Sequence, residues 1–295
     1  MKPPPFSYHD PRTIHDAVAL LGRLENAKLL AGGQSLMPML NMRFVQPDHV
    51  IDLNRVDGLW FMHELNGALR IGAMTRQRDL EFSDLIARRC PLMYEAIRLV
   101  GHRQTRNRGT LGGSLCHLDP SAELVAVAAT LDATLTISGP KGQRDIAFAD
   151  FPVAFMTPAI EPNELLTMVS FPIWPKDHGF GFVEFARRHG DFAIVSAAVL
   201  ITEDGAGRIN RAAVTIGGMG TVPVRARELE QALVGQVPDD KLLREACESC
   251  RNIDAIEDIH APASYRQHLA AVLSRRALER ARGRLPSRAG AASAH

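Results

Sequence analysis

The sequence predicts an α+β protein with two domains, and three observations lead to this prediction. The chain has 295 residues, about twice the length of an average domain. Hydrophobic residues make up 46% and charged residues 23%, as in globular proteins rather than in disordered or fibrous chains. Short strand-like and helix-like segments alternate through the first two thirds, whereas the last third contains a three-strand meander followed by helices.

Charge and cysteine content exclude several classes of protein. Lys and Arg number 34 against 33 Asp and Glu, so the chain lacks the basic excess of nucleic-acid-binding proteins. Four cysteines are too few for a disulfide scaffold, and we therefore expect a reducing, cytoplasmic location. The proline-rich N-terminus lacks the apolar segment of a signal peptide, and no apolar run approaches the roughly 18 residues of a membrane-spanning helix.

The N-terminal domain is expected at residues 1–176, as two subdomains. Thr13 can cap a helix over residues 14–24, and Ser35 can cap a second helix that follows a strand at 28–31 and two glycines. The later elements expected from apolar periodicity are strands at 50–53 and 69–71, a helix at 84–100, a buried helix at 122–131 and strands at 133–137 and 164–171.

The C-terminal domain is expected at residues 177–285. It follows a stretch rich in proline and glycine, residues 172–181, which is typical of a domain boundary. The expected elements are strands at 181–186, 193–202 and 211–217, followed by helices at 224–233, 240–250 and 263–282. The final residues, 286–295, are small and polar and are expected to form a flexible tail.

A strand that runs into two glycines and then a helix is the first candidate site. Glycine lets a ligand approach the backbone closely, and the unpaired N–H groups of a helix start attract anions. The alternative is an ordinary tight turn between strand and helix. The segment comprises Leu29, Leu30, Ala31, Gly32, Gly33, Gln34, Ser35 and Leu36.

A second glycine-rich turn, at 109–113, follows a basic segment and is the second candidate site. Its residues of interest are Gly109, Thr110, Gly112, Gly113 and Ser114. The alternative is a solvated basic loop. Asp119 and Glu123 follow, and either can accept hydrogen bonds from a polyol or belong to a loop and an exposed helix face.

Neither glycine segment matches the Rossmann or P-loop pattern. Two separate glycine segments instead favour one extended ligand held from both sides. A dinucleotide meets this description, because its pyrophosphate carries charges that two backbone nests can share.

Several segments together resemble the FAD-binding medium subunit of molybdenum hydroxylases, of the carbon monoxide dehydrogenase and xanthine dehydrogenase type. They extend in order over nearly the whole chain. The segments are AGGQSL at 31–36, IGAMT at 71–75, GTLGGS at 109–114, DPSAEL at 119–124, FARRHGDFAIVSAAV at 185–199 and SYRQHLAAVLSRRAL at 264–278.

The resemblance implies a vanillyl-alcohol-oxidase-type (PCMH) FAD-binding domain, followed by a small domain of antiparallel sheet and helices. It places residues 29–36 on one side of the FAD pyrophosphate and the second glycine segment on the other. It also implies that Gly72, Ala73 and Thr75 lie near the flavin ring, that Asp119 and Glu123 contact polar atoms of the ribityl chain or of the ring edge, and that Leu165 is an apolar flavin contact.

The resemblance further implies an oxidoreductase subunit that passes electrons through FAD to an external acceptor. The molybdenum cofactor and [2Fe-2S] clusters would lie on partners, a large molybdopterin subunit and a small iron–sulfur subunit, in a dimer of heterotrimers. Gln34 occupies the place of a covalent tether, so non-covalent FAD is expected. Many relatives carry a lysine where this chain has Val183, Glu184 and Phe185.

Two other functions remain open at the level of sequence. A stand-alone flavin oxidoreductase would need a polar catalytic set, but none of the three tyrosines lies near a glycine segment. A cofactor-free assembly subunit would keep the fold with unused glycine segments. Cys247 and Cys250 form a CxxC without a second pair, and so no metal site is predicted. No catalytic side chain is predicted either.

Overall fold

The structure is a computed structural model that describes residues 1–286. Of the tail expected at 286–295, all but Pro286 lies outside the described residues. Within the described part of the chain, no helix is both long and apolar enough to cross a membrane.

The first subdomain is a small parallel sheet with a helix packed on it. Thr13 caps the first helix as predicted, because its Oγ1 accepts a hydrogen bond from the backbone N–H of Asp16, at 3.0 Å. The strands have the spatial order β1-β3-β2. The elements are β1 (Ser7–His9), α1 (Ile14–Arg23), β2 (Ala27–Leu30), α2 (Leu36–Asn41) and β3 (His49–Asp52).

The second subdomain is a five-stranded antiparallel sheet with order β4-β5-β10-β6-β7, covered by short helices. Its strands are β4 (Met62–Leu65), β5 (Ala68–Gly72), β6 (Thr134–Gly139), β7 (Gly142–Ala147) and β10 (Leu165–Pro172), with a separate pair β8 (Pro152–Ala154) and β9 (Thr157–Pro158). Its helices are α3 (Gln77–Glu81), α4 (Asp84–Arg89), α5 (Pro91–Ile97), α6 (Arg103–Arg108), α7 (Leu111–His117) and α8 (Glu123–Thr130).

The C-terminal part is an antiparallel sheet of order β11-β12-β13-β14 with helices on one face. Alternate residues of the sheet belong to two different cores. Val195, Ala197 and Val199 pack with the last helix, whereas Ala198 and Leu200 pack with the N-terminal domain. The elements are β11 (Gly179–Phe185), β12 (Val195–Glu203), β13 (Ile209–Gly217), β14 (Val224–Arg225), α9 (Arg227–Leu233), α10 (Asp240–Cys247) and α11 (Ala263–Gly283).

These elements confirm the predicted α+β class, but three of the predicted helices have wrong bounds. The helix expected at 84–100 is broken into α4 and α5, because Pro91 disfavours helical backbone at Cys90, whose φ and ψ are −141° and 60°. The helix expected at 224–233 begins only at Arg227, because Val224 and Arg225 pair with β13. The helix expected at 240–250 ends at Cys247 and continues as a 3-10 turn, Glu248–Asn252.

Candidate cofactor-binding site

The first glycine segment leaves β2 and turns sharply into α2. Gly33 has a φ of +75°, a region that L residues rarely adopt. The N–H groups of Gly32, Gly33, Gln34 and Ser35 donate no hydrogen bond to any described residue. Such adjacent free donors form a nest for an anion. Ser35, however, does not cap α2 through its side chain, contrary to the sequence prediction.

The second glycine segment is the start of a helix rather than a turn, which corrects the prediction for 109–113. Thr110 is the N-cap of α7, and its Oγ1 accepts from the N–H of Gly113 at 3.0 Å. The N–H of Gly112 donates to the carbonyl oxygen of Ala73 at 2.8 Å. The N–H group of Ser114 donates to the carbonyl oxygen of Thr110 at 3.1 Å. These internal bonds occupy the donors that the sequence suggested for an anion.

The structure brings the two glycine segments into direct contact. A Cβ atom at Gly32 would lie 2.3 Å from the carbonyl oxygen of Arg108 and 2.8 Å from the Cα of Gly109. A Cβ atom at Gly113 would lie 3.5 Å from the Cβ of Ala31. Glycine is therefore required at position 32 by the approach of a second chain segment, whereas we expected the approach of a ligand.

Arg76 ties the two glycine segments together, and sequence reasoning missed it. Its guanidinium donates to the carbonyl oxygen of Arg108 and to Oδ1 of Asn54. Asn54 in turn donates from Nδ2 to the carbonyl oxygen of Ala31, at 3.1 Å. Burial, reinforced by the positive charge of Arg108, lowers the pKa of Arg76. The only sequence signal was that Arg76 directly follows the IGAMT segment.

The residues of the IGAMT segment, 71–75, pack against the second glycine segment. Gly72, Ala73 and Thr75 are buried, and the Thr75 hydroxyl donates to the carbonyl oxygen of Phe61 at 3.1 Å. Gly112 packs closely on Ala73: a Cβ atom added at Gly112 would lie only 2.7 Å from the Cβ of Ala73. Leu165 is only 2% exposed and belongs to the apolar core beside α1.

Asp119 and Glu123 lie beyond the C-terminal end of α7, a helix about 10 Å long whose first half is formed by the second glycine segment. Asp119 is half-buried and accepts from the N–H of Ser121 at 2.8 Å. Glu123 is 3% exposed, which rules out the exposed-helix alternative. Burial, followed by the charge of Glu184, raises the pKa of Glu123 to about 8.

No group of metal-ligating side chains occurs among the described residues. Burial raises the thiol pKa values of Cys247 and Cys250, which keeps both groups protonated. One buried acceptor at the candidate site has no partner, namely Oε1 of Gln77 beside Gly109.

Two family models match consecutive parts of the chain. The first, the FAD binding domain in molybdopterin dehydrogenase, matches residues 4–174. The second, the CO dehydrogenase flavoprotein C-terminal domain, matches residues 181–281.

Similar proteins match over almost the whole chain. The 6-hydroxypseudooxynicotine dehydrogenase complex subunit alpha of Paenarthrobacter nicotinovorans is 37% identical over 95% of this chain and 96% of its own length. The carbon monoxide dehydrogenase medium chain of Afipia carboxidovorans is 38% identical over 96% of this chain and 99% of its own. A solved carbon monoxide dehydrogenase from Hydrogenophaga pseudoflava superposes with a TM-score of 0.94 at 34% identity, covering 97% of this chain and 100% of that one.

The fold is therefore that of an FAD-binding oxidoreductase component. The chain belongs to the family of FAD-binding medium subunits of molybdenum hydroxylases. This confirms the resemblance drawn from the sequence, the fold that it implied and the predicted class of function.

The residues fit this cofactor. The free N–H groups of the first glycine segment are suited to a pyrophosphate, and Gly33 supplies the positive φ that the nest requires.

Proposed function

We propose that FAD binds non-covalently with its pyrophosphate against the first glycine segment. The observation that supports this most strongly is the run of unpaired N–H groups at residues 32–35, next to a second segment so close that a Cβ atom at Gly32 would lie 2.8 Å from the Cα of Gly109. The contacts that we propose are those implied by the resemblance: Leu29, Leu30, Ala31, Gly32, Gly33, Gln34, Ser35 and Leu36; Gly72, Ala73 and Thr75; Gly109, Thr110, Gly112, Gly113 and Ser114; and Asp119, Glu123 and Leu165.

The two glycine segments have unequal roles in this proposal. The first supplies backbone donors, whereas Thr110 and Ser114 supply hydroxyl groups at the start of α7. Arg76 fixes the spacing between the segments. Bound FAD supplies the electron-transfer chemistry, and the protein supplies binding, orientation and electrostatics. No side-chain nucleophile or base is needed for that role.

We further propose that electrons reach this chain from a molybdenum centre on a large partner subunit, through [2Fe-2S] clusters on a small partner subunit. The three subunits would form a dimer of heterotrimers. The relatives support this, since their names describe a complex subunit and a medium chain. These two relatives act on 6-hydroxypseudooxynicotine and on carbon monoxide, so the organic substrate is expected to be chosen by another subunit. We keep the functional division proposed from sequence: residues 1–176 bind FAD and residues 177–285 form the second domain.

Co-expression of the tagged chain with its genomic neighbours tests this function. We expect FAD to purify with the isolated chain, and molybdenum and iron only with co-purified partners. Reduction of the flavin should then require the partners and their organic substrate. Flavin reduction by a substrate in the isolated chain would instead favour a stand-alone oxidoreductase, and a colourless chain that joins the complex would favour an assembly subunit.

A further inference from the structure

One face of the five-stranded sheet is covered at one end only. Side chains alternate between the two faces of a sheet, and Leu69 and Ile71 of β5 lie in the core with the short helices. Arg70, between them, therefore projects from the opposite face, which we call the outer face. Helix α1 of the first subdomain contacts β6 and covers one end of this face, where Leu165 of β10 belongs to the apolar cluster of that helix.

The other end of the outer face is open, and we call it the open patch. The strand register places its eight residues in two adjacent rows that cross the sheet. All of them are exposed or half-buried. The first row is His63, Arg70, Ser170, Thr134 and Ala147, and the second row is Leu65, Ala68 and Pro172.

The open patch has few charges for a surface that faces water. An antiparallel sheet usually presents alternating polar residues on its solvated face, often with charged side chains among them. Here the patch contains one arginine, one histidine and no carboxylate, and Leu65 within it is 42% exposed. The centres of protein interfaces have this kind of composition, since charged residues are depleted there and arginine is the exception.

Arg70 lacks a partner in the part of the chain that the structure describes. It forms no hydrogen bond or ion pair with any described residue, and its Nε atom is buried without an acceptor. Asp145 of β7, on the same face, accepts from the Thr136 hydroxyl at 2.6 Å. Glu64 of β4 accepts from Arg89 at 2.7 Å. A half-buried guanidinium loses hydration without gaining an anion, which indicates that an acidic group from outside the chain completes it.

We propose that the open patch is a docking surface for a partner subunit of the complex, and that this partner presents an Asp or Glu side chain to Arg70. This rests on the proposed function, which requires partner subunits. A guanidinium can bind a carboxylate through two parallel hydrogen bonds, which fixes the orientation of the partner as well as its position. The small side chains of Ala68, Ser170 and Ala147 let a partner surface approach the sheet closely.

The charge of the patch favours a protein over other occupants. A nucleic acid is held by several cations that neutralise successive phosphates, whereas the patch offers one arginine and His63. A single acidic side chain within an apolar surface matches the patch in charge and in chemistry. A second copy of this chain is the alternative occupant, and its self-association is measured in the test.

Binding of the isolated FAD-loaded chain to its purified partner subunits tests the proposal. Arg70→Gln should raise the dissociation constant of the complex about tenfold or more, because a charge-assisted hydrogen bond is lost. The same variant should keep the wild-type FAD affinity and should not be less stable in isolation, since Arg70 has no partner to lose there. Arg88→Gln, an exposed arginine of α4 in the helical layer on the other face, is the matched control and should bind as wild type. Ala147→Trp blocks the patch with Arg70 intact and should also weaken the complex.

Phenylglyoxal labelling of arginines, followed by mass spectrometry, gives an independent signal. Arg70 should be labelled in the isolated chain and protected in the complex, whereas Arg88 should be labelled in both. Assembly of both patch variants with wild-type affinity, or equal labelling of Arg70 with and without partners, would overturn the proposal and leave the proposed function intact. Protection of Arg70 in a dimer of the isolated chain would overturn it in favour of a second copy. A wild-type chain that binds no partner subunit would contradict the proposed function itself.

Discussion

Gly32 and Gly109 are in backbone contact across the two glycine segments. A Cβ atom at Gly32 would come within 2.8 Å of the Cα of Gly109 and within 2.3 Å of the preceding carbonyl oxygen. The separation of the two segments is therefore fixed by the contact between their backbones. A cofactor that lies against both segments therefore meets a spacing that is already formed.

Gly32→Ala tests this contact. The added methyl group must push the segments apart, and overpacking of this kind costs about 1–3 kcal/mol in the free energy of unfolding. We expect weaker FAD binding together with reduced stability, measured by fluorescence titration and by denaturant unfolding. Gly22→Ala is the control, because nothing lies within 4 Å of its Cβ position. Unchanged FAD affinity in Gly32→Ala would show that the spacing is unimportant.

Gly33→Asp and Gly33→Asn form a matched pair that isolates charge. Both residues tolerate a positive φ better than other non-glycine residues do, and they have the same size. Only the aspartate opposes the pyrophosphate electrostatically. We expect the Asp variant to lose FAD and the Asn variant to retain part of the affinity. Equal FAD affinity in the two variants would show that the pyrophosphate does not lie against this segment.

Arg76→Lys should loosen the site without emptying it. A lysine cannot reproduce the planar fork that reaches both Arg108 and Asn54. We expect a stability loss of about 1–3 kcal/mol and a weaker FAD complex. Arg78→Lys, on the exposed side of α3, is the control and should have neither effect. The idea fails if the two variants have the same FAD dissociation constant.

Glu95→Ala should weaken the junction between the domains. Its carboxylate accepts from Arg280 of α11 at 3.1 Å and from Arg284, the residue that directly follows α11, at 2.7 Å. Because the arginines are partly exposed, we expect a loss of only about 1–2 kcal/mol. Hydrogen exchange should rise in β11. Glu279→Ala breaks an exposed pair within α11 and should leave exchange in β11 unchanged; equal exchange in both variants would contradict a linking role.

Local patterns explain which parts of the fold were predictable. Thr13 lies before an amphipathic run, and the cap formed as expected. The break at Pro91 was available from the same rules, since proline inside a helical pattern ends the helix before it. The strand at Val224 could not be predicted from local patterns, because its conformation is set by pairing with β13.

The candidate site was predictable as a pair of glycine segments but not in its working parts. Sequence cannot show that the N–H of Gly112 donates to the carbonyl oxygen of Ala73, since that hydrogen bond joins segments that are distant in sequence. Arg76 and Glu184 have the same difficulty. Their partners or neighbours are distant in sequence, and only the assembled fold shows that Arg76 bridges two segments and that Oε2 of Glu184 is buried without a hydrogen-bond partner.

A crystal structure of the full chain with bound FAD tests the central claim most directly. The account predicts the pyrophosphate against the N–H groups of Gly32–Ser35, with the start of α7 on its other side and the flavin ring extending toward Glu123. Density for FAD elsewhere on the chain, with those N–H groups facing water, would contradict it.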